Sequence, residues 1–241
     1  CLRFKNQLGY GKMSLTLGGD RMTFPLKELG ELVGANISWQ ADSGLSTFQI
    51  GNQMAVFNTK LPLMYLGQKD EAGVVTYERS ELPVTLTSQA GRLQVYLDVL
   101  YRLGMIPSWD AAAQQLTITL DQELYGTEQT SFAPSELVGL VATDLNNEIA
   151  SRAEASWQGA FGRTRLQKDA ASAGVGAGEY LLRATAGSSN AYGKIAVSGS
   201  KVPLKDLAPL LGAQITYDSV TGLTLYQAGN KMFAFSPQIS C

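Results

Sequence analysis

The 241-residue chain contains no histidine. That absence removes the commonest general base and the commonest zinc and copper ligand. Ser-His and Cys-His nucleophile systems and copper(II) sites are excluded with it. Charge is also scarce, at 17%, and 19 Lys and Arg against 21 Asp and Glu leave a net charge of −2. No basic field is available for nucleic acid or anionic lipid. No window approaches the roughly 18 apolar residues needed to span a bilayer. Phosphate-loop, EF-hand and GxSxG spacings are missing, and "GVGAGEY" (Gly174 to Tyr180) lacks the lysine and preceding strand of a phosphate loop, so it reads as a loop. No cofactor and no metal site are expected. The first residues, Cys1 to Asn6, lack the apolar core of a secretory signal, which a processed chain would already have lost.

What is present is a sentence written twice. "FPLKELGELVGANISW" (Phe24 to Trp39) returns as "VPLKDLAPLLGAQITY" (Val202 to Tyr217). Aligned without a gap, Pro25–Asn58 and Pro203–Ser236 share 15 identities in 34 pairs, each 178 positions apart. Internal duplication explains such a block and chance does not. A weaker copy lies between them. With Gly104 set against Gly34 and Gly212, Trp109 falls on Trp39 and Tyr217, and Ile118 falls on Phe48 and Tyr226.

Each copy has a physical logic. Pro25 or Pro203 opens a helix where a missing N–H costs nothing. Leu26, Leu29 and Val33 recur at helical spacing, and Gly34 or Gly212 stands where a left-handed C-terminal cap is needed. Short strands follow, "ANISW", "LSTFQIG" and "NQMAVF", with turns such as "ADSG" between them. A leading strand is expected at "KMSLTL" (Lys12 to Leu17). A helix of this size buries its stripe only against its own small sheet, so the expected class is α+β. The expected units are paired copies over 12–122, a helical and loop insertion over 123–191, and a third copy over 192–237.

The pattern of leading strand, V-P-L helix, L-G-A-x-I-x-W/Y, turn and G-x-x-M resembles the copper amine oxidase N-terminal-like repeat, or stalk domain. The resemblance covers Lys12–Asn58 and Tyr192–Pro237 well and Val84–Gln122 loosely. It implies an α+β fold and an extracellular or cell-envelope setting in a bacterium. It carries over no catalytic residue, since the oxidase's chemistry uses copper-binding histidines.

Outside the copies, Pro134 to Trp157 reads as a long helix with Leu137, Val141, Leu145, Ile149 and Ala153 along one stripe, and Asp144, Asn147, Glu148, Arg152 and Glu154 opposite. "QKDEAGVVTYERSE" (Gln68 to Glu81) reads as a hairpin whose carboxylates do not cluster. Cys1 and Cys241 are the only cysteines. A lipid on Cys1, giving the only membrane link, a disulfide, within the chain or between chains, or two accidents of the chain's boundaries fit them. Trp39, Trp109 and Tyr217 share one slot and, with Trp157, form either a platform for a wall polymer or a set of packing anchors; recurrence at one slot favours anchors. The expectation is a non-catalytic structural or assembly protein that packs on copies of itself or on the cell wall, with no nucleic-acid partner. The alternative is a module that binds polysaccharide or peptidoglycan.

Overall fold

The computed structural model describes residues 2–4, 7–18, 21–125, 132–199 and 201–236. Cys1 and Cys241 lie outside these residues, and so does the assignment of a lipid or a disulfide to them. In chain order the elements are β1 (Leu2–Phe4), β2 (Gln7–Gly9), β3 (Thr16–Gly18), β4 (Arg21–Pro25), α1 (Leu26–Val33), β5 (Asn36–Gln40), β6 (Leu45–Ile50), β7 (Gln53–Phe57), β8 (Leu63–Lys69) and β9 (Val75–Glu81). There follow β10 (Thr87–Gln89), β11 (Arg92–Tyr96), α2 (Leu97–Arg102), β12 (Met105–Asp110), β13 (Gln115–Leu120), α3 (Gln122–Tyr125) and α4 (Pro134–Phe161). The rest are β14 (Glu179–Ala186), β15 (Ser189–Ala196), α5 (Leu204–Leu210), β16 (Gln214–Asp218), β17 (Leu223–Ala228) and β18 (Lys231–Phe235). The class is α+β, with several small, mostly antiparallel sheets. The chain divides into two compact units, Cys1–Asn147 and Glu148–Cys241, with the division inside α4. It thus falls within the segment that reads as one insertion in the sequence.

In the first unit, the five-stranded sheet β5-β6-β7-β8-β9 carries both faces of the fold. Its register sets Ile37 beside Phe48, Phe48 beside Ala55, and Phe57 beside Met64 on one face. That face joins a core with Phe24, Leu26 and Leu29 and with Val95, Val99, Leu100 and Met105. The strand joining these groups is β4, which pairs with β11 so that Phe24 meets Val95. α1 has only eight residues and no side-chain cap at Pro25, so packing rather than intrinsic propensity holds it. Full burial of Leu26 and Leu29 contributes about 1.5–3 kcal/mol each. Gly34 ends α1 in the left-handed region at φ 74°, and Gly104 and Gly212 do the same at 68° and 69°.

The opposite face is closed by the first half of α4. Leu137, Val138, Val141 and Leu145 are buried. Gly67 allows this approach, because a Cβ there would overlap Leu137 Cδ2. Lys69 donates to Glu136 Oε1 at 2.6 Å, and Arg79 lies 3.6 Å from Asp144. Asp144 therefore sits on the packed side, not on the solvent side expected from the sequence. It is seven residues after Leu137, two helical turns, and so returns to the same stripe. Burial, with the Asp144 carboxylate next, pushes the Tyr65 hydroxyl above its ordinary range. With both faces covered, β6 loses the alternation of a surface strand and is buried at every position.

Two other expectations are met in altered form. The leading strand at Lys12–Leu17 is reduced to β3, and the strand that enters α1 is β4. The hairpin read at Gln68–Glu81 is larger, with β8 beginning at Leu63.

In the second unit, β14 and β15 form a hairpin, and β16-β17-β18 form a separate sheet. Phe161, Leu166 and Ala191 make a small core, with Trp157, Leu182 and Leu210 against it. α5 joins this core: Arg165 N–H donates to Leu210 O at 3.2 Å. Among the described residues of this unit, nothing covers the sheet that follows α5 comparably. Every residue of β18 is exposed.

Candidate functional site

The aromatic slot does not behave as one set. Trp109 is half-buried against the first unit's core. Trp39 and Tyr217 are 61% and 63% exposed, so the expected packing anchor is not what these two provide. The reason is position. Trp39 lies in β5, an edge strand, two residues beyond Ile37 on the core-facing side and next to the turn at Ala41–Gly44. Tyr217 holds the corresponding place in the edge strand β16. Trp157 is committed to packing: its Nε1 donates to Asn190 O at 2.9 Å, its ring meets Phe161, and Lys168 lies 5.1 Å from the ring centre. Trp39 and Tyr217 stay available on the surface.

Trp39 borders a groove of about 480 Å³ in the first unit. The start of α1 supplies Leu26 and Lys27, β5 supplies Ile37, Ser38 and Trp39, and the β10–β11 hairpin supplies Ser88, Arg92 and Leu93. Ser46 and Thr59 complete it. The floor is apolar because Leu26 is a core residue whose upper side faces the groove. The rim holds hydroxyls and two cations, and no carboxylate is among the described residues that line it. On the other face of the sheet Ser38 Oγ and Thr47 Oγ1 share a 2.7 Å hydrogen bond, which ties β5 to β6 behind the groove. Arg92 Nη1 donates to Glu28 Oε1 at 2.8 Å. The Ser14 N–H first, then its hydroxyl and Arg92, hold the Glu28 carboxyl below its ordinary value. Glu28 thus positions Arg92 while its charge stays outside the groove. Lys27 has only a 3.9 Å contact with Glu31.

The second exposed feature is β18. Met232, Phe233 and Phe235 are 60%, 49% and 47% exposed. Among the described residues strand β18 is an edge, paired with β17 alone. Its chemistry is apolar contact and, along the side no described strand pairs, backbone hydrogen-bonding groups.

Among the described residues no group of three Asp, Glu or Cys side chains is placed to hold a metal ion, and no helix is long and apolar enough to cross a membrane. No protein-family model, curated protein or solved structure matches the chain.

Proposed function

We propose that the chain is a non-catalytic structural or assembly module built from three copies of one strand-helix-strand-strand unit. Its setting is extracellular or in a bacterial cell envelope, as the resemblance to stalk repeats implies. The element bounds support the copies. β16, β17 and β18 begin and end 178 positions after β5, β6 and β7. β13 begins and ends 70 positions after β6, and α3 stands where the middle copy's last strand would be.

One observation carries self-association. Met54 and Phe57 are fully buried, whereas their counterparts Met232 and Phe235 are exposed. In the first copy the edge of β7 is taken by β8; in the third no described strand takes the matching edge of β18. The occupant is β18 of a second copy of this chain, pairing antiparallel about Phe233. Segment 212–236 carries one Asp and one Lys, so like charge does not oppose the pairing. Covering three large side chains that are half exposed buries on the order of 300 Å² per copy. That is well below the roughly 800 Å² per partner of a stable complex. Association through this strand alone is therefore weak and concentration-dependent.

Sedimentation across a concentration series tests the reading. The average mass rises above 25.8 kDa with concentration, and a Phe233→Lys/Phe235→Lys variant with native circular dichroism stays monomeric. A wild-type chain that remains monomeric up to about 1 mM, where even a contact worth 4 kcal/mol is half occupied, refutes it.

The alternative, a module that binds wall polysaccharide, is favoured by a separate observation: Trp39 stands exposed at the rim of a groove lined with hydroxyls.

A further inference from the structure

The groove beside Trp39 differs from a generic sugar platform in its charge. Lys27 and Arg92 both line it, and none of the described residues that line it is acidic. Their carboxylate partners, Glu31 and Glu28, are held outside. Arg92 uses Nη1 on Glu28, and a guanidinium has five donors in a fixed fork. A partly engaged arginine held in place by an acid behind it is a preorganised receptor for an oxyanion. Lys27 adds a second cation from the first turn of α1, whose backbone N–H end favours negative charge.

The remaining lining specifies the rest of the ligand. An exposed indole presents a flat apolar face, which suits the C–H face of a sugar ring. Ser46, Thr59 and Ser88 add hydroxyls to the lining, each able to donate and accept. The volume of about 480 Å³ lies within the about 300–1,000 Å³ of small-molecule sites. Neutral glycans need the aromatic and the hydroxyls but give the two cations nothing to do. A phosphate alone needs the cations but leaves Trp39 and the apolar floor unused.

We propose that this groove binds an acidic saccharide, its ring stacked on Trp39 and its carboxylate held by Lys27 and Arg92. The proposal rests on the polysaccharide reading above and adds selectivity for charge. It is independent of self-association, since β18 lies in the other unit.

The test is a fluorescence and calorimetric titration of the full chain with three probes: a hexuronic acid trisaccharide, a neutral glucan trisaccharide and inorganic phosphate. The expected result is saturable binding of the hexuronate, with weaker binding of the other two. Trp39→Ala weakens hexuronate binding by about tenfold or more, as loss of a central aromatic contact does. Lys27→Gln, at an exposed position, weakens it by about two- to fivefold and flattens its dependence on salt, leaving the neutral probe unaffected. Equal affinity for the neutral and acidic trisaccharides overturns the charge selectivity and leaves the polysaccharide reading standing. Absence of binding by both saccharides overturns the two together. Binding of the hexuronate that survives Trp39→Ala places it elsewhere and overturns the assignment to this groove.

Discussion

Truncating the same residue in two copies of one sequence isolates environment from chemistry. Phe57 and Phe235 occupy the same register in β7 and β18, 178 positions apart. Phe57 is fully buried in a core shared with Phe24, Leu29 and Val99. Phe57→Ala loses the transfer term and leaves a cavity, at a cost of about 3–5 kcal/mol. Phe235 is 47% exposed. Its truncation forfeits about half of a transfer term of roughly 2–3 kcal/mol and opens no closed cavity, leaving about 1 kcal/mol. Urea unfolding near 1 µM protein, far below weak association, separates these values. Tryptophan fluorescence follows both units, because Trp39 and Trp109 report the first and Trp157 the second. Equal costs for the two variants at this dilution refute the reasoning. That result would show β18 covered in the solution monomer, and the self-association reading would fall with it.

Gly67→Ala drives a methyl into Leu137 and costs about 1–3 kcal/mol; a double-mutant cycle with Leu137→Ala then shows coupling between the sites, and simple additivity refutes the contact. Gln114 holds a left-handed φ of 49° in the turn where the first copy has Gly44. Gln114→Gly relieves about 1–2 kcal/mol of strain against about 0.5–1 kcal/mol of added chain entropy, so the melting temperature rises slightly or holds; a clear fall is the contrary result. Glu136 is held below its ordinary 4.5, first by the Lys69 hydrogen bond and then by the Ala133 N–H. A depressed folded value gives stabilisation that is complete above the unfolded value and is lost as pH falls through the folded one. Melting temperature therefore drops on acidification below about pH 4.5, and Glu136→Gln shows a smaller drop; identical acid profiles for the two proteins contradict the pair.

The sequence made local structure legible where one residue type had one physical use. The prolines, expected in the first turn and found as extended residues one position before each helix, and the left-handed glycines marked helix starts and ends to within a residue or two. Strand and turn signals marked β5, β6 and β7, and the apolar stripe marked α4. Burial was less legible. Thr47 and Gln49 look like the wet side of a strand, yet both are buried, because α4 covers that face from far along the chain. Asp144 misled in the same way, since its partner Arg79 comes from β9. The groove was invisible for a related reason: its lining spans residues 26 to 93, and only β4–β11 pairing brings Arg92 to α1. Met54 and Met232 make the limit plain. They sit in matching strands, and their surroundings, not their local sequence, decide which is core.

The closed slot in the first unit has a consequence for how the chain folds. The β6–β7 hairpin fits between α4 and the core, and the β17–β18 hairpin carries nearly the same message. During refolding the second can compete for the first's place, a wrong docking that must be undone before native burial is complete. Such competition appears as a slow refolding phase. In a Phe235→Lys/Met232→Lys chain, whose hairpin no longer suits the slot, that phase shrinks. A slow phase unchanged by those substitutions assigns the delay to another step.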